Sequence, residues 1–281
     1  MDATALEIGL CWGTLQNANL PELIEAAGRH GFPTLSVRPD SVLGLIESGL
    51  SEAALRKRLA DAGVRVRVVD ALLAGLPGMA ERQALEISGG RLNPADETAC
   101  FRAAEAVGAP IVNIALFGGG PASADELAEA IGAVSARAAR RGLSIVLEFI
   151  PGTAIADLHA ARDIAAACGA PNCGILLDSW HLARSGGTVD DIRALAPGAI
   201  GAFQLSDRIP PPPGAPYVPM TGRDLPGEGE LPLYDLTRAA MANNPSLTAE
   251  IEVFSAELRD LPIDAAAARA AQAVRRWREG L

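Results

Sequence analysis

Eight short apolar runs punctuate the chain, beginning near Leu6, Thr34, Val64, Ile111, Leu143, Gly174, Ile200 and Leu247. They lack polar alternation, so they read as strands covered on both faces, as in a parallel sheet. Helical patterns separate them: Pro21 to Arg29, Ser51 to Ala62, Ala95 to Val107, Ala124 to Arg140, Ile155 to Cys168, Val189 to Ala196, Leu233 to Ala242 and Asp264 to Glu279. The Ser51 hydroxyl can accept from free amides of a first turn, and Gly63, Gly142 and Gly169 can take the left-handed conformation that ends a helix. Most strand starts fall about 30 residues apart, the length of one βαβ step.

Eight alternating units without a break in composition predict α/β architecture: a (β/α)8 TIM barrel formed as a single domain by residues 1–281. An open doubly wound sheet is the alternative. No Gly-x-Gly-x-x-Gly follows the first strand, which counts against a dinucleotide-binding sheet. Two intervals are longer, at about 71–94 and 208–232. Both precede their helix, so they elaborate the strand C-terminal face where barrel enzymes keep their active sites. The second contains Pro210-Pro-Pro-Pro213 and Gly214-Ala-Pro-Tyr-Val-Pro219, too proline-rich for helix or central strand; it reads as a semi-rigid cover or as a plain surface loop.

Composition narrows the classes. Apolar residues make up 49% and charged residues 21% of the chain, the profile of a soluble globular protein. The net charge of -10 and the lack of a Lys/Arg stripe with interleaved aromatics argue against nucleic acid as a partner. The first residues form no leader pattern and no apolar run approaches membrane-spanning length, so no membrane association and a cytoplasmic location are expected. Cys11, Cys100, Cys168 and Cys173 show no ligand-like spacing and read as reduced packing thiols.

Three apolar runs end in a carboxylate. Gly174-Ile-Leu-Leu177 ends in Asp178-Ser-Trp-His181, Ile145-Val-Leu147 in Glu148, and Ala249-Glu-Ile251 leads to Glu252. Singly, each could cap the following helix or pair with an arginine. A barrel brings all three to one rim, where uncompensated anions repel, and a divalent cation would remove the conflict. Gln204 breaks the seventh run and can add a carbonyl oxygen. A mainly oxygen donor set favours Mg²⁺ or Mn²⁺ over zinc. Glu250 competes with Glu252, because residues two apart on a strand face the same side; Glu252 is nearer the strand's end. Of three histidines, His181 alone accompanies an acidic strand end and could ligate metal, contact substrate or cap. His30 and His159 read as surface or packing residues. Arg38 could meet an anionic substrate or form a structural ion pair, and Gly118-Gly-Gly120 before Pro121 reads as an ordinary turn.

Leu147-Glu-Phe-Ile-Pro-Gly152, Leu177-Asp-Ser-Trp-His-Leu-Ala-Arg-Ser-Gly186, Phe203-Gln-Leu-Ser-Asp207, Pro226-Gly-Glu-Gly-Glu-Leu-Pro232 and Ile251-Glu-Val-Phe254 together resemble the xylose isomerase-like barrels, specifically the sugar phosphate isomerase/epimerase group. The resemblance implies a metal held by Glu148, Asp178, Gln204 and Glu252, with His181 and Arg223 contacting substrate. Gln204 departs from most members, which place histidine there. The endonuclease branch, with its histidine-rich zinc site and basic DNA face, fits poorly.

The function implied is metal-dependent isomerisation or epimerisation of a keto-sugar or related polyol or keto-acid. Proton abstraction next to a carbonyl would give an enediolate, with Glu148 and Glu252 as the bases. The alternatives are a dehydratase of a keto-cyclitol or dehydroshikimate-like compound, and a sugar-binding or accessory barrel without catalysis. A small-molecule substrate is the expected partner. Relatives are often dimers or tetramers, so homo-oligomer formation is a further expectation.

Overall fold

The computed structural model describes residues 6–79, 85–87, 90–117, 120–210, 212, 214 and 221–280. Eight parallel strands close a barrel: β1 Glu7–Cys11, β2 Thr34–Val37, β3 Arg65–Leu72, β4 Ile111–Ala115, β5 Ser144–Glu148, β6 Cys173–Asp178, β7 Ile200–Leu205 and β8 Thr248–Ile251. The ring shuts where Glu7 to Leu10 of β1 pair with Thr248 to Ile251 of β8. Each strand begins within one residue of the apolar run that predicts it.

Eleven helices occur among the described residues: α1 Leu20–His30, α2 Pro39–Glu47, α3 Glu52–Asp61, α4 Glu97–Val107, α5 Ala124–Ala139, α6 Leu158–Ala167, α7 Ser179–Arg184, α8 Val189–Arg193, α9 Leu233–Asn243, α10 Ala256–Asp260 and α11 Ile263–Arg278. Three of them, α2, α7 and α10, go beyond the expected set. The α2 helix follows Arg38 with Pro39 at its first position, where a missing N–H costs nothing. The α7 helix starts on Asp178 itself. The α4 and α6 helices start later than expected because Asp96 and Asp157 accept from the third following amide and fix the first turn there.

Both long intervals carry two-stranded antiparallel ribbons, Leu85–Ile87 with Gly90–Leu92 and Asp207–Arg208 with Arg223–Asp224. Gly118 and Gly119, and most of the proline-rich stretch 209–219, lie outside the described residues.

Side chains alternate across each strand, so inward positions recur every second residue. Val68, Ile111, Val146, Leu176 and Ala202 pack together as a buried apolar cluster. Two residues further along the same five strands stand Asp70, Asn113, Glu148, Asp178 and Gln204, all buried. Strands β1 and β2 add Cys11 and Ser36, and Glu252 follows directly after β8; all three are buried. One step toward the strand C-termini thus changes the filling from hydrocarbon to polar groups.

Candidate active site

Asp178 is both cap and site residue. Its Oδ1 accepts from the Trp180 and His181 backbone amides at 2.7 and 2.8 Å, which anchors the first turn of α7 and sets His181 at the rim. Its Oδ2 accepts from Arg223 Nη1 at 2.7 Å. Arg223 reaches the rim on the ribbon that pairs Arg208 with Arg223. Its Nη1 also lies 3.1 Å from Glu252 Oε2, and its Nη2 lies 3.3 Å from His181 Nε2. Trp180 supports this arginine from the ring face, 4.9 Å from the guanidinium carbon.

Glu148 Oε1 stands 3.3 Å from His181 Nε2, while Oε2 accepts from Asn113 Nδ2 at 2.7 Å. The same amide donates to Asp70 Oδ1 at 2.7 Å, so Asn113 bridges two carboxylates on neighbouring elements. Asp70 Oδ2 accepts from Trp12 Nε1 at 3.1 Å. Glu252 Oε1 accepts from Gln204 Nε2 at 2.9 Å and from the Cys11 thiol at 3.2 Å. Glu250 lies one inward position deeper on β8, where it accepts from Thr34 Oγ1 at 3.2 Å.

The expected residues Glu148, Asp178, His181, Gln204, Arg223 and Glu252 therefore meet in one buried network. Sequence reasoning missed Asp70 and Asn113, although both carry the signals that flagged the others: Asp70 is a carboxylate near the end of an apolar strand, and Asn113 interrupts Ile111-Val-Asn-Ile-Ala115. Cys11 is corrected from a packing thiol to a member of this network, because its Sγ touches Glu252. The four cysteines are free. Arg38 meets the structural reading, pairing with Asp40 at 3.0 Å and lying over Trp12. His30 and His159 are bound near Asp264 and Asp191 away from the network.

Burial sets the protonation states. It pushes Glu148 up to about 8, assisted by the negative charges of Asp70 and Asp178, and it raises Glu252 against the opposing pull of Arg223. For Asp178 burial acts upward too, but the Arg223 charge overrides it and holds the carboxyl below its ordinary value. Burial pushes His181 down to about 4, so this imidazole is neutral near pH 7.

The donor chemistry fits a divalent cation. Glu148, Asp178 and His181 each offer an atom within 4.8 Å of the others. Gln204 turns its Nε2 to Glu252, leaving a buried Oε1 without a hydrogen-bond partner, the state of an acceptor that lacks a cation or donor. Cys11, Asp70 and Glu252 form a second group of this size. Schiff-base chemistry does not fit, because the chain's one lysine, Lys57, is an exposed α3 residue paired with Asp61.

The family model of the xylose isomerase-like TIM barrel matches residues 24–279, and the chain belongs to that family. No curated protein matches the chain in sequence. Among solved structures, the IolI protein with a bound zinc atom is 18% identical with TM-score 0.81, the match covering 98% of this chain and 99% of that one. D-psicose 3-epimerase in the presence of D-fructose is 15% identical with TM-score 0.71, over 98% and 99% of the two chains. The probable 3-DHS dehydratase AsbF of petrobactin synthesis from Bacillus anthracis is 17% identical with TM-score 0.70, over 96% and 99%. These likenesses establish the shared fold. Among the described residues no helix is long and apolar enough to cross a membrane.

Proposed function

We propose that this chain is a divalent-metal-dependent isomerase or epimerase of a keto-sugar or related carbonyl polyol, acting by proton abstraction at the carbon next to the carbonyl. The observation that carries the reading is the pair Glu148 and Glu252. They are buried carboxylates on β5 and just beyond β8; burial pushes Glu148 up to about 8 and raises Glu252 above its ordinary value, and each belongs to a cluster of potential metal donors. A base with its proton affinity near the working pH can take a proton and give it back. Two buried carboxylates on non-adjacent strands can serve opposite faces of one carbon.

Glu148, Asp178, Gln204 and Glu252 would hold the cation. When bound, it would polarise the carbonyl and acidify the neighbouring C–H. Glu148 presents Oε1 to the site while Asn113 fixes Oε2, so one oxygen is set as the proton acceptor. For epimerisation Glu252, in its protonated form, gives a proton of its own to the opposite face of that carbon while Glu148 keeps the one it removed. Return to the adjacent carbon gives aldose-ketose isomerisation. Arg223, with a buried Nε that has no partner, and neutral His181 supply donors for the oxygen on which negative charge grows. Low-dielectric walls around these groups strengthen each of these interactions.

Incubation with Mn²⁺ and a panel of keto-sugars and keto-cyclitols in deuterated water tests the reading. It predicts deuterium incorporation beside the carbonyl in a product of unchanged mass apart from the label. A product lighter by one water would instead assign a dehydratase. Incorporation with none of them would contradict proton-transfer chemistry here.

A further inference from the structure

We infer that Asp207 is a positioning residue for the proposed reaction: its carboxylate folds the turn at residues 226–229 back onto the ribbon and so holds Arg223 against Asp178 and His181. What Arg223 does to substrate rests on the proposed function; its placement by Asp207 does not.

Arg223 needs such a device. Its backbone belongs to a ribbon with two residues on each arm, Asp207–Arg208 and Arg223–Asp224, extended by the bond from the Ile209 amide to the Gly222 carbonyl at 3.0 Å. Two short strands on their own are marginally stable in water. Yet the guanidinium they carry must stay where Nη1 meets Asp178 Oδ2 at 2.7 Å and the Glu252 carbonyl at 3.2 Å. Something beyond the ribbon therefore fixes it.

Asp207 is buried and stands opposite Asp224 in the ribbon. Its Oδ1 accepts from the backbone amides of Arg208 and Leu231 at 2.8 and 2.9 Å, and its Oδ2 from that of Gly227 at 3.1 Å. One carboxylate thereby ties the outgoing arm to both ends of the segment 227–231, which follows the returning arm. Hydrogen bonds to an ionised acceptor are roughly twice as strong as neutral ones, so this residue gathers more binding than a single ribbon bond supplies.

The chain around the carboxylate is shaped to it. Gly227 has φ +83°, and a Cβ on Gly229 would collide with Asp207 Oδ1 and the Arg208 carbonyl, so glycine lets the turn close at both positions. The Glu230 amide donates to the Arg208 carbonyl at 3.1 Å, and the Glu230 carboxylate accepts from Arg208 Nε at 2.8 Å. On the outer side, Glu228 pairs with Arg269 and Arg276 of α11 at 2.5 and 2.6 Å, which fastens the turn to a helix of the barrel. The end of Phe203-Gln-Leu-Ser-Asp207 and the run Pro226-Gly-Glu-Gly-Glu-Leu-Pro232 are thus two halves of one latch.

The test uses Asp207→Asn, in which a donor group replaces one accepting oxygen. Thermal denaturation with chelator and with excess Mn²⁺, and deuterium incorporation into D-fructose and an inosose, are measured in the parent, Asp207→Asn, Arg223→Gln and the double variant. Asp207→Asn is expected to show a lower Tm without metal and a metal-induced rise larger than the parent's, because a loosened Arg223 leaves Asp178 and Glu252 to the cation. Exchange should fall roughly 10- to 100-fold, the scale of a slight misplacement at a reacting site. In the Arg223→Gln background the same change should cost less than about twofold more, since it acts through the residue already removed. Gly229→Ala keeps the carboxylate but pushes the turn off it; it should move both readouts in the same direction, and it carries the test if Asp207→Asn does not fold. Losses that add in full in the double variant, or a lowered Tm with the parent's metal response, make Asp207 a purely structural residue and overturn the inference. Absence of exchange in the parent contradicts the proposed function, and the metal response then decides the placement of Arg223 on its own.

Discussion

The Arg223 guanidinium and the Asp178 carboxylate, neither with exposed side-chain surface, meet at 2.7 Å, and the same Nη1 approaches Glu252 at 3.1 Å. A fixed cation therefore rests on two of the four groups proposed for the metal. The two cations draw on the same carboxylate charge, so their occupancies are coupled.

Arg223→Gln should consequently weaken the metal-free protein and strengthen its response to metal. Breaking a buried pair from one side leaves an uncompensated charge, worth about 3–5 kcal/mol. Thermal denaturation with chelator and with excess Mn²⁺ measures both parts: a lower Tm without metal, and a larger metal-induced rise than in the parent. An equal rise in both proteins would separate Arg223 from the metal's carboxylates.

Gln204→His should move the site toward zinc. The substitution replaces a hard amide oxygen with an imidazole nitrogen, a donor that suits zinc better than Mg²⁺. Competition titrations are expected to show the Zn²⁺ over Mg²⁺ preference rising relative to the parent. An unchanged preference would exclude position 204 from the donor set.

Glu250 gives a stability signature independent of turnover. Burial pushes its carboxyl up to about 7, above the ordinary value near 4.3. Between those values the folded chain keeps a proton that the unfolded chain releases. Stability from this group is therefore full below about 4.3 and declines as pH rises to about 7, by on the order of 3 kcal/mol. In chelator-treated protein, Glu250→Gln should remove that decline and gain on the parent at pH 8. A parallel pH profile for both proteins would contradict this ionisation.

Asn113→Ala should damage Glu148 from a distance of one side chain. The amide donates to both Glu148 and Asp70 at 2.7 Å, and deleting it leaves two buried carboxylates short of a donor, at about 1–3 kcal/mol for each lost partner. Denaturation midpoints should fall, and deuterium exchange should slow because Glu148 is no longer held. Asn113→Gln would retain a donor and recover part of the stability.

Strand positions were legible because burial on both faces forces uninterrupted apolar runs, and the first polar residue after each run marks the barrel rim. Glu148, Asp178 and Gln204 were found that way. Asp70 escaped because β3 continues through Leu72, so its carboxylate precedes the end of the apolar run. Asn113 escaped for a related reason: Ile114 and Ala115 follow it and resemble ordinary strand filling. The α7 helix was hidden because Asp178 is cap and site residue at once, and a helix of six residues has little periodicity to display. Arg223 lies far along the chain from Asp178, and only the pairing of Arg208 with Arg223 brings it to the rim.

The most direct measurement of the central claim is solvent deuterium incorporation beside the carbonyl of an accepted keto-sugar or cyclitol, followed in the parent, Glu148→Gln and Glu252→Gln, with and without divalent metal. The account predicts incorporation by the metal-loaded parent, its loss on chelation, and a fall of at least about 100-fold in each variant, the scale of a positioned general base. Incorporation that persists in Glu148→Gln and Glu252→Gln, or that ignores metal removal, would contradict it.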